Sequence, residues 1–152
     1  MNKEIKFKLT NKTLPLLPYI HGEVLEDIKM EGDKLILSCS LSGSKGYINS
    51  VVDFDANRLT ISTNLLDDAD CDIEISKTFH KKMLKERSKL GYGKKSNIYA
   101  IRDFLKIYKG YPLYFARTMV GVEKVHIVFE GKAGVEARLM INCKEITYTF
   151  SE

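Results

Sequence analysis

Apolar and polar residues alternate with a period of two through most of this chain. Between residues 34 and 41 every second side chain is apolar, and between residues 70 and 75 cysteine and isoleucine alternate with acidic residues. This pattern is typical of a β-strand, because successive side chains of a strand point to opposite faces of its sheet. The predicted strands comprise residues 5–9, 34–41, 47–54, 58–63, 70–75, 111–117, 125–129, 135–141 and 146–150.

Short groups of turn-forming residues separate these strands. Residues 55–57 predict a hairpin between the strands at 47–54 and 58–63. Residues 131–134 predict a second hairpin and residues 142–144 a third. Because a hairpin joins antiparallel neighbours, we expect the sheet to be mostly antiparallel.

A different period appears in the middle of the chain. Between Thr78 and Leu90 the apolar residues fall on one side of a helical wheel and the lysines on the other, and glycines follow that end this helix. A second helix is expected to begin at Ser96 or Asn97, where a side chain can cap it, and to end near Lys109. The predicted fold class is therefore α+β: a mostly antiparallel β-sheet, with strands before and after, and a central two-helix hairpin packed on one face.

The 152 residues are expected to form a single domain. A chain of this length buries roughly 70% of its unfolded surface, which is enough for a core without disulfide or metal cross-links. Within this domain we distinguish an acidic β-rich part at 22–75, a basic helical hairpin at 76–110 and C-terminal antiparallel strands at 111–150.

Composition predicts a cytoplasmic protein that does not enter a membrane. No apolar run approaches the ~20 residues that cross a bilayer, and the charged first residues lack the apolar core of a secretion signal. The three cysteines, Cys39, Cys71 and Cys143, are far apart, and each falls on the apolar side of its predicted strand. We therefore expect them to be buried, unpaired and inert.

Charge is sorted along the chain. Residues 22–75 contain twelve Asp or Glu and four Lys or Arg, a net charge of −8. Residues 76–124 contain thirteen basic residues and three acids, a net charge of +10. The near-neutral whole therefore hides two strongly charged segments of opposite sign, which bears on partners and solubility rather than on fold.

The basic segment suggests a non-enzymatic protein that contacts a polyanion, with nucleic acid favoured over an acidic protein surface. Lysines and arginines bind phosphates, and the tyrosines among them can stack on bases. Tyr99 is expected on the polar face of the second helix, where its ring is available for stacking. The predicted nucleic-acid-binding residues are Lys81, Lys82, Lys85, Lys89, Lys94, Lys95, Arg102, Lys106, Tyr92 and Tyr99.

An alternative function uses the acidic segment as a protein-binding surface, as an inhibitor or immunity protein does, with a basic protein as the partner. Electrostatic complementarity then sets association rate and specificity. Its candidate residues are Glu23, Glu26, Asp27, Asp68, Asp70 and Asp72. A further alternative is that the two charged segments neutralise each other, within one molecule or across a homodimer.

A third alternative is a metal-independent ribonuclease, similar to small toxin domains. His80 would act as general acid or base and Arg87 would stabilise charge on phosphorus. No cofactor and no metal site is predicted. Residues 91–96 lack the glycine and serine spacing of a phosphate loop, and residues 67–72 lack the later glycine and glutamate of a calcium loop.

Overall fold

A computed structural model of the chain shows, in the residues that it describes, two five-stranded antiparallel sheets, one two-stranded sheet and two α-helices. The structure describes residues 3–10, 16–49, 52–65, 70–89, 97–108 and 110–152, without the side chains of 52–54 and 84–89. The α+β class and the antiparallel arrangement are as expected. The strands are β1 (Lys3–Lys8), β2 (Leu25–Glu31), β3 (Lys34–Ser40), β4 (Lys45–Ile48), β5 (Val52–Asp55), β6 (Arg58–Asn64), β7 (Cys71–Ile75), β8 (Ile98–Ala100), β9 (Tyr114–Gly121), β10 (Lys124–Glu130), β11 (Glu136–Asn142) and β12 (Glu145–Ser151), and the helices are α1 (Lys77–Lys89) and α2 (Ile101–Ile107).

The strands are divided between two sheets whose order differs from the order along the chain. The first sheet has the order β1-β12-β6-β3-β2, and the second has the order β8-β7-β11-β10-β9. Strands β4 and β5 form a separate two-stranded sheet, and Ile48 of β4 also bridges to Pro18. At one place the two sheets approach, because Val24, just before β2, bridges to Tyr114 of β9. Strand β2 is otherwise an edge of the first sheet.

The predicted alternation is matched by burial along the strands. Leu35, Leu37 and Cys39 of β3 are buried while their neighbours are not, and Cys71 and Ile73 of β7 behave in the same way. One hydrophobic core contains these side chains together with residues of both helices. The period-two pattern therefore identified the inward faces of these strands correctly.

Helix α1 agrees closely with the first predicted helix. Its apolar residues Phe79 and Met83 are fully buried. Ser76 caps its first turn, because the Ser76 hydroxyl accepts a hydrogen bond from the backbone N–H of Phe79 at 3.3 Å. The same hydroxyl donates to the carbonyl of Gly134 at 2.8 Å, which ties the start of the helix to the turn before β11.

The second predicted helix is wrong at its start. The chain first forms strand β8, which pairs with β7, and α2 begins only at Ile101. The expected two-helix hairpin is therefore interrupted by a strand. Tyr99, at the centre of β8, lies opposite Ile73 and is buried, because the strand period turns it toward the core. Its expected position on a polar helix face is corrected accordingly.

Four other expectations about the strands change. Residues 47–54 do not form one strand, because β4 and β5 pair with each other. Residues 55–57 do not close the expected hairpin, because β6 pairs with β3 and β12 instead of with β5. Residues 142–144 do not close a hairpin, because β11 and β12 belong to different sheets. The strand expected at 111–117 lies at Tyr114–Gly121. The hairpin at 131–134 is confirmed, since β10 and β11 pair on either side of it.

The three cysteines are buried and unpaired, as the sequence predicts. Burial raises the pKa of the Cys39 thiol to about 12 and that of Cys143 to about 11, and it raises the pKa of Cys71 further. Thiols in this state are poor nucleophiles, because the reactive form is the thiolate. Within the described residues, no helix combines the length and apolar character required to cross a bilayer.

Candidate functional site

An aromatic cluster joins the two helices and thereby positions the basic segment. The ring of Phe79 in α1 meets Phe104 of α2 edge to face, with centroids 6.2 Å apart. It also meets Tyr111 at 5.6 Å, and the Tyr111 hydroxyl donates to the backbone carbonyl of Lys82 at 2.9 Å. Edge-to-face pairs of this kind add to the stabilisation from burial. Helices α1 and α2 are therefore in contact, and we refer to them together as the helical layer. The described candidate cations of both helices are exposed.

The described cations of α1 project into solvent. Lys77, Lys81 and Lys82 are exposed. The side chains of these three lysines form no hydrogen bond or ion pair with any residue that the structure describes. Two further candidates, Lys85 and Lys89, lie within α1, but their side chains are outside the described part of the chain. Tyr92, Lys94 and Lys95 fall outside the described residues altogether.

The two candidate cations of α2, Arg102 and Lys106, are exposed. Arg102 donates from Nη2 to the backbone carbonyl of Gly32 at 2.6 Å, so it spans from α2 to the turn after β2. Lys106 lies 3.9 Å from the carboxylate of Asp103, one turn earlier on the same helix. An exposed pair at this distance contributes little stability. The positive charge of Lys106 therefore remains available to a ligand.

Tyr99 does not supply a stacking surface. Its ring is buried 6.3 Å from Phe104, and its hydroxyl lies 3.2 Å from Nδ1 of His80. His80 is half-buried and bridges α1 to β8 through this contact. The proposed catalytic partner of His80, Arg87, has its side chain outside the described residues. The contact that the structure describes for His80 is thus its polar contact with Tyr99, and the proposed pair of His80 with Arg87 stays a prediction.

The ion pairs within the two charged segments join residues that are close to each other in the fold. In the acidic segment Arg58 lies 3.7 Å from Glu26, and Lys29 lies 3.0 Å from Glu31. In the basic segment Lys106 lies near Asp103. The lysines of α1 whose side chains are described, Lys77, Lys81 and Lys82, form no ion pair with a described acidic side chain.

The acidic candidates do not share one surface. Glu23 accepts hydrogen bonds from the backbone N–H and the hydroxyl of Ser42, both at 2.7 Å, and so has a structural role. Asp27 is exposed on β2 of the first sheet.

Asp70 and Asp72 lie instead at the second sheet, in a depression of about 370 Å³ that Lys124 and His126 also line. Asp68 is outside the described residues. Within the described part of the chain, the acidic candidates are thus divided between two sheets.

A groove of about 900 Å³ lies between β2 and α2. One wall is the strand itself, and the other carries Arg102, Leu105 and Lys106 of the helix. Sequence reasoning missed β2, although Ile28 and Met30 alternate with charged residues there. That alternation was the available signal.

No family model, no curated protein and no solved structure matches this chain. Fold class alone does not carry function. Function is therefore inferred below from the placement and chemistry of the site residues.

Proposed function

We propose that this protein is a small cytoplasmic binding protein without catalytic activity, whose basic helical layer contacts a polyanion, most favourably nucleic acid. The observation that carries the proposal is that Lys77, Lys81 and Lys82 of α1 are exposed and form no ion pair with any side chain that the structure describes. Positive charge on α1 consequently remains exposed to solvent. A surface of one sign attracts ligands of the opposite sign over distances of about a Debye length.

The spacing of the α1 lysines adds support. Lysine occupies positions 77, 81, 85 and 89, one every four residues of the helix. Because an α-helix rises 1.5 Å per residue, these positions follow one side of α1 at intervals of about 6 Å. Like charges four residues apart destabilise a helix by about 0.2–0.5 kcal/mol per pair. A row of phosphates along this side would relieve that repulsion, which favours a linear polyanion as ligand.

Nucleic acid is preferred over an acidic protein because counterion release rewards contact with phosphates. Each phosphate that a lysine neutralises contributes about 0.7 to the slope of log affinity against log salt on a single strand, and about 0.9 on B-DNA. We therefore expect sequence-independent binding with a steep dependence on salt. Stacking is not part of the proposal for Tyr99, whose ring is buried.

The test is a titration of fluorescent single- and double-stranded oligonucleotides at several salt concentrations. The variant K81Q/K82Q removes two exposed charges of α1. If both contact phosphates, the salt slope should fall by about 1.4 on single strands. The matched control K3Q/K144Q removes two exposed lysines, one on β1 and one just before β12, and it should leave the slope unchanged.

Absence of binding at low salt would refute the proposal, as would equal losses in the two double variants. The same samples are checked by gel for cleavage of RNA. Intact RNA is expected, and cleavage by wild type that disappears in H80A would contradict the non-enzymatic assignment.

A further inference from the structure

Strand β2 is an edge of the first sheet and lies beside the groove that it shares with α2. It pairs with β3 on one side only, and its other side faces the groove that α2 lines. The two ends of this edge are engaged: the N–H of Leu25 donates to Leu113, and Arg102 donates to the carbonyl of Gly32. The middle of the strand, between these ends, is open. Such an edge is a template for pairing with another strand.

Hydrogen bonds around β3 show which backbone groups of β2 face the groove. The N–H of Leu65 donates to the carbonyl of Asp33, and the N–H of Leu41 donates to the carbonyl of Asn57. The backbone N–H and C=O groups of the odd-numbered residues of β3 therefore point toward β6. Those of the even-numbered residues point toward β2, where they face the backbone groups of Asp27, Lys29 and Glu31. It follows that the backbone N–H and C=O groups of Ile28 and Met30 point away from β3, into the groove.

The two residues beside Ile28 carry opposite charges, which makes this strand complementary to a second, antiparallel copy of itself. Asp27 and Lys29 flank Ile28 and are both exposed. In an antiparallel pair of two β2 strands that is centred on Ile28, Asp27 of each copy lies opposite Lys29 of the other. Ile28 is also the midpoint of residues 26–30, so this register pairs the part of the strand that lies between the two engaged ends. A register shifted by one pair of residues, centred on Lys29, would place Lys29 opposite Lys29, which is unfavourable.

We propose that the occupant of this edge is β2 of a second copy of the chain, so that the protein forms a two-fold symmetric homodimer. The two Ile28 residues exchange a pair of backbone hydrogen bonds, and two cross-strand ion pairs between Asp27 and Lys29 set the register. The inference does not depend on the proposed polyanion function, because it uses the first sheet and not the lysines of α1.

A charge-swap series tests the interface by sedimentation equilibrium. D27K places lysine opposite Lys29 at two symmetric positions, and K29D places two aspartates opposite each other. Each single variant should weaken dimerisation about tenfold or more, since favourable cross-strand pairs are replaced by repulsive ones at both positions. The double variant D27K/K29D restores the complementarity and should return the dissociation constant to near the wild-type value. These side chains are exposed, so the fold should be retained, which circular dichroism checks.

The matched control is E4K on β1, the opposite edge of the same sheet, where Glu4 is exposed. It should not change dimerisation. As a second readout, amide hydrogen exchange at Ile28 should slow as protein concentration rises in wild type but not in D27K.

A wild-type protein that stays monomeric at its highest soluble concentration would overturn the proposal. So would a dimer whose stability is unaffected by either single variant, or one that the double variant fails to restore. Nucleic-acid binding by monomeric D27K would leave the proposed function intact, so the two proposals can fail separately.

Discussion

Replacing Ser76 with alanine should destabilise this protein more than a surface serine change normally does. The Ser76 hydroxyl accepts from the N–H of Phe79 at 3.3 Å and from the N–H of Glu136 at 3.0 Å, and it donates to the carbonyl of Gly134 at 2.8 Å. A single oxygen thus connects the start of α1 to the turn before β11 and to the first residue of β11. Alanine removes all three bonds without changing the backbone.

The expected magnitude follows from these three bonds. Loss of an N-cap side chain costs about 1 kcal/mol, and each further hydrogen bond contributes about 0.5–1.5 kcal/mol net. Ser76 is half-buried, so water replaces only part of what is lost. We therefore expect S76A to lower the free energy of unfolding by about 2–3 kcal/mol, equivalent to roughly 4–12 °C in Tm for a chain of this size.

Urea denaturation followed by circular dichroism measures this effect, with the midpoint shifting at constant m-value. The matched control is S62A in β6, because the Ser62 hydroxyl makes no hydrogen bond with a described residue. That variant should change stability by no more than about 0.5 kcal/mol. S76T keeps the hydroxyl and should retain most of the stability. If S76A lost no more than S62A, the role assigned to the Ser76 hydroxyl would be wrong.

Three further outcomes follow from burial. A thiol reagent at pH 8 should modify Cys39, Cys71 and Cys143 only after denaturation, because burial raises the pKa of each thiol, to about 12 for Cys39 and about 11 for Cys143. Thiols of the unfolded chain lose their protons near pH 8.5, whereas the buried thiols keep theirs to higher pH. The free energy of unfolding from urea titrations should therefore be retained below about pH 9 and fall as the pH rises toward 11–12, and a flat profile would contradict this. Y148F should lower the free energy of unfolding by about 1 kcal/mol, because the buried Tyr148 hydroxyl donates to the carbonyl of Leu16 at 2.8 Å. No measurable loss in urea denaturation would refute that contribution.

Strand identity was largely readable from the sequence. The alternation around Leu35 and Leu37, and again around Ile73, gives the correct inward face, because the period of two is a property of the strand backbone itself. The same reasoning identified the buried face of α1 through Phe79 and Met83. The burial of the three cysteines was predicted from the same strand pattern. These features depend on residues that are neighbours in the chain.

The segment from Ile98 to Ala100 shows where such reasoning stops. Ile98, Tyr99 and Ala100 fit the first turn of a helix as well as a short strand. A run of three residues is too short to distinguish the helical period of 3.6 from the strand period of two. The open edge of β7 decides the matter by pairing with β8. Tyr99 then turns inward beside Phe104, so a residue assigned to the candidate site belongs to the core instead.

The amino-acid sequence alone was enough to predict the α+β class and the buried faces of several strands and of α1. It also shows the separation of charge into an acidic and a basic segment. Tertiary structure decided which strands pair, that β11 and β12 belong to different sheets, and that β2 is an open edge. It also decided that the described lysines of α1 have no acidic partner among the described side chains. The difference lies in the sequence separation over which each interaction acts. Periodicity is set by backbone geometry over a few residues, whereas strand pairing and ion pairing join distant residues and depend on how the whole core closes.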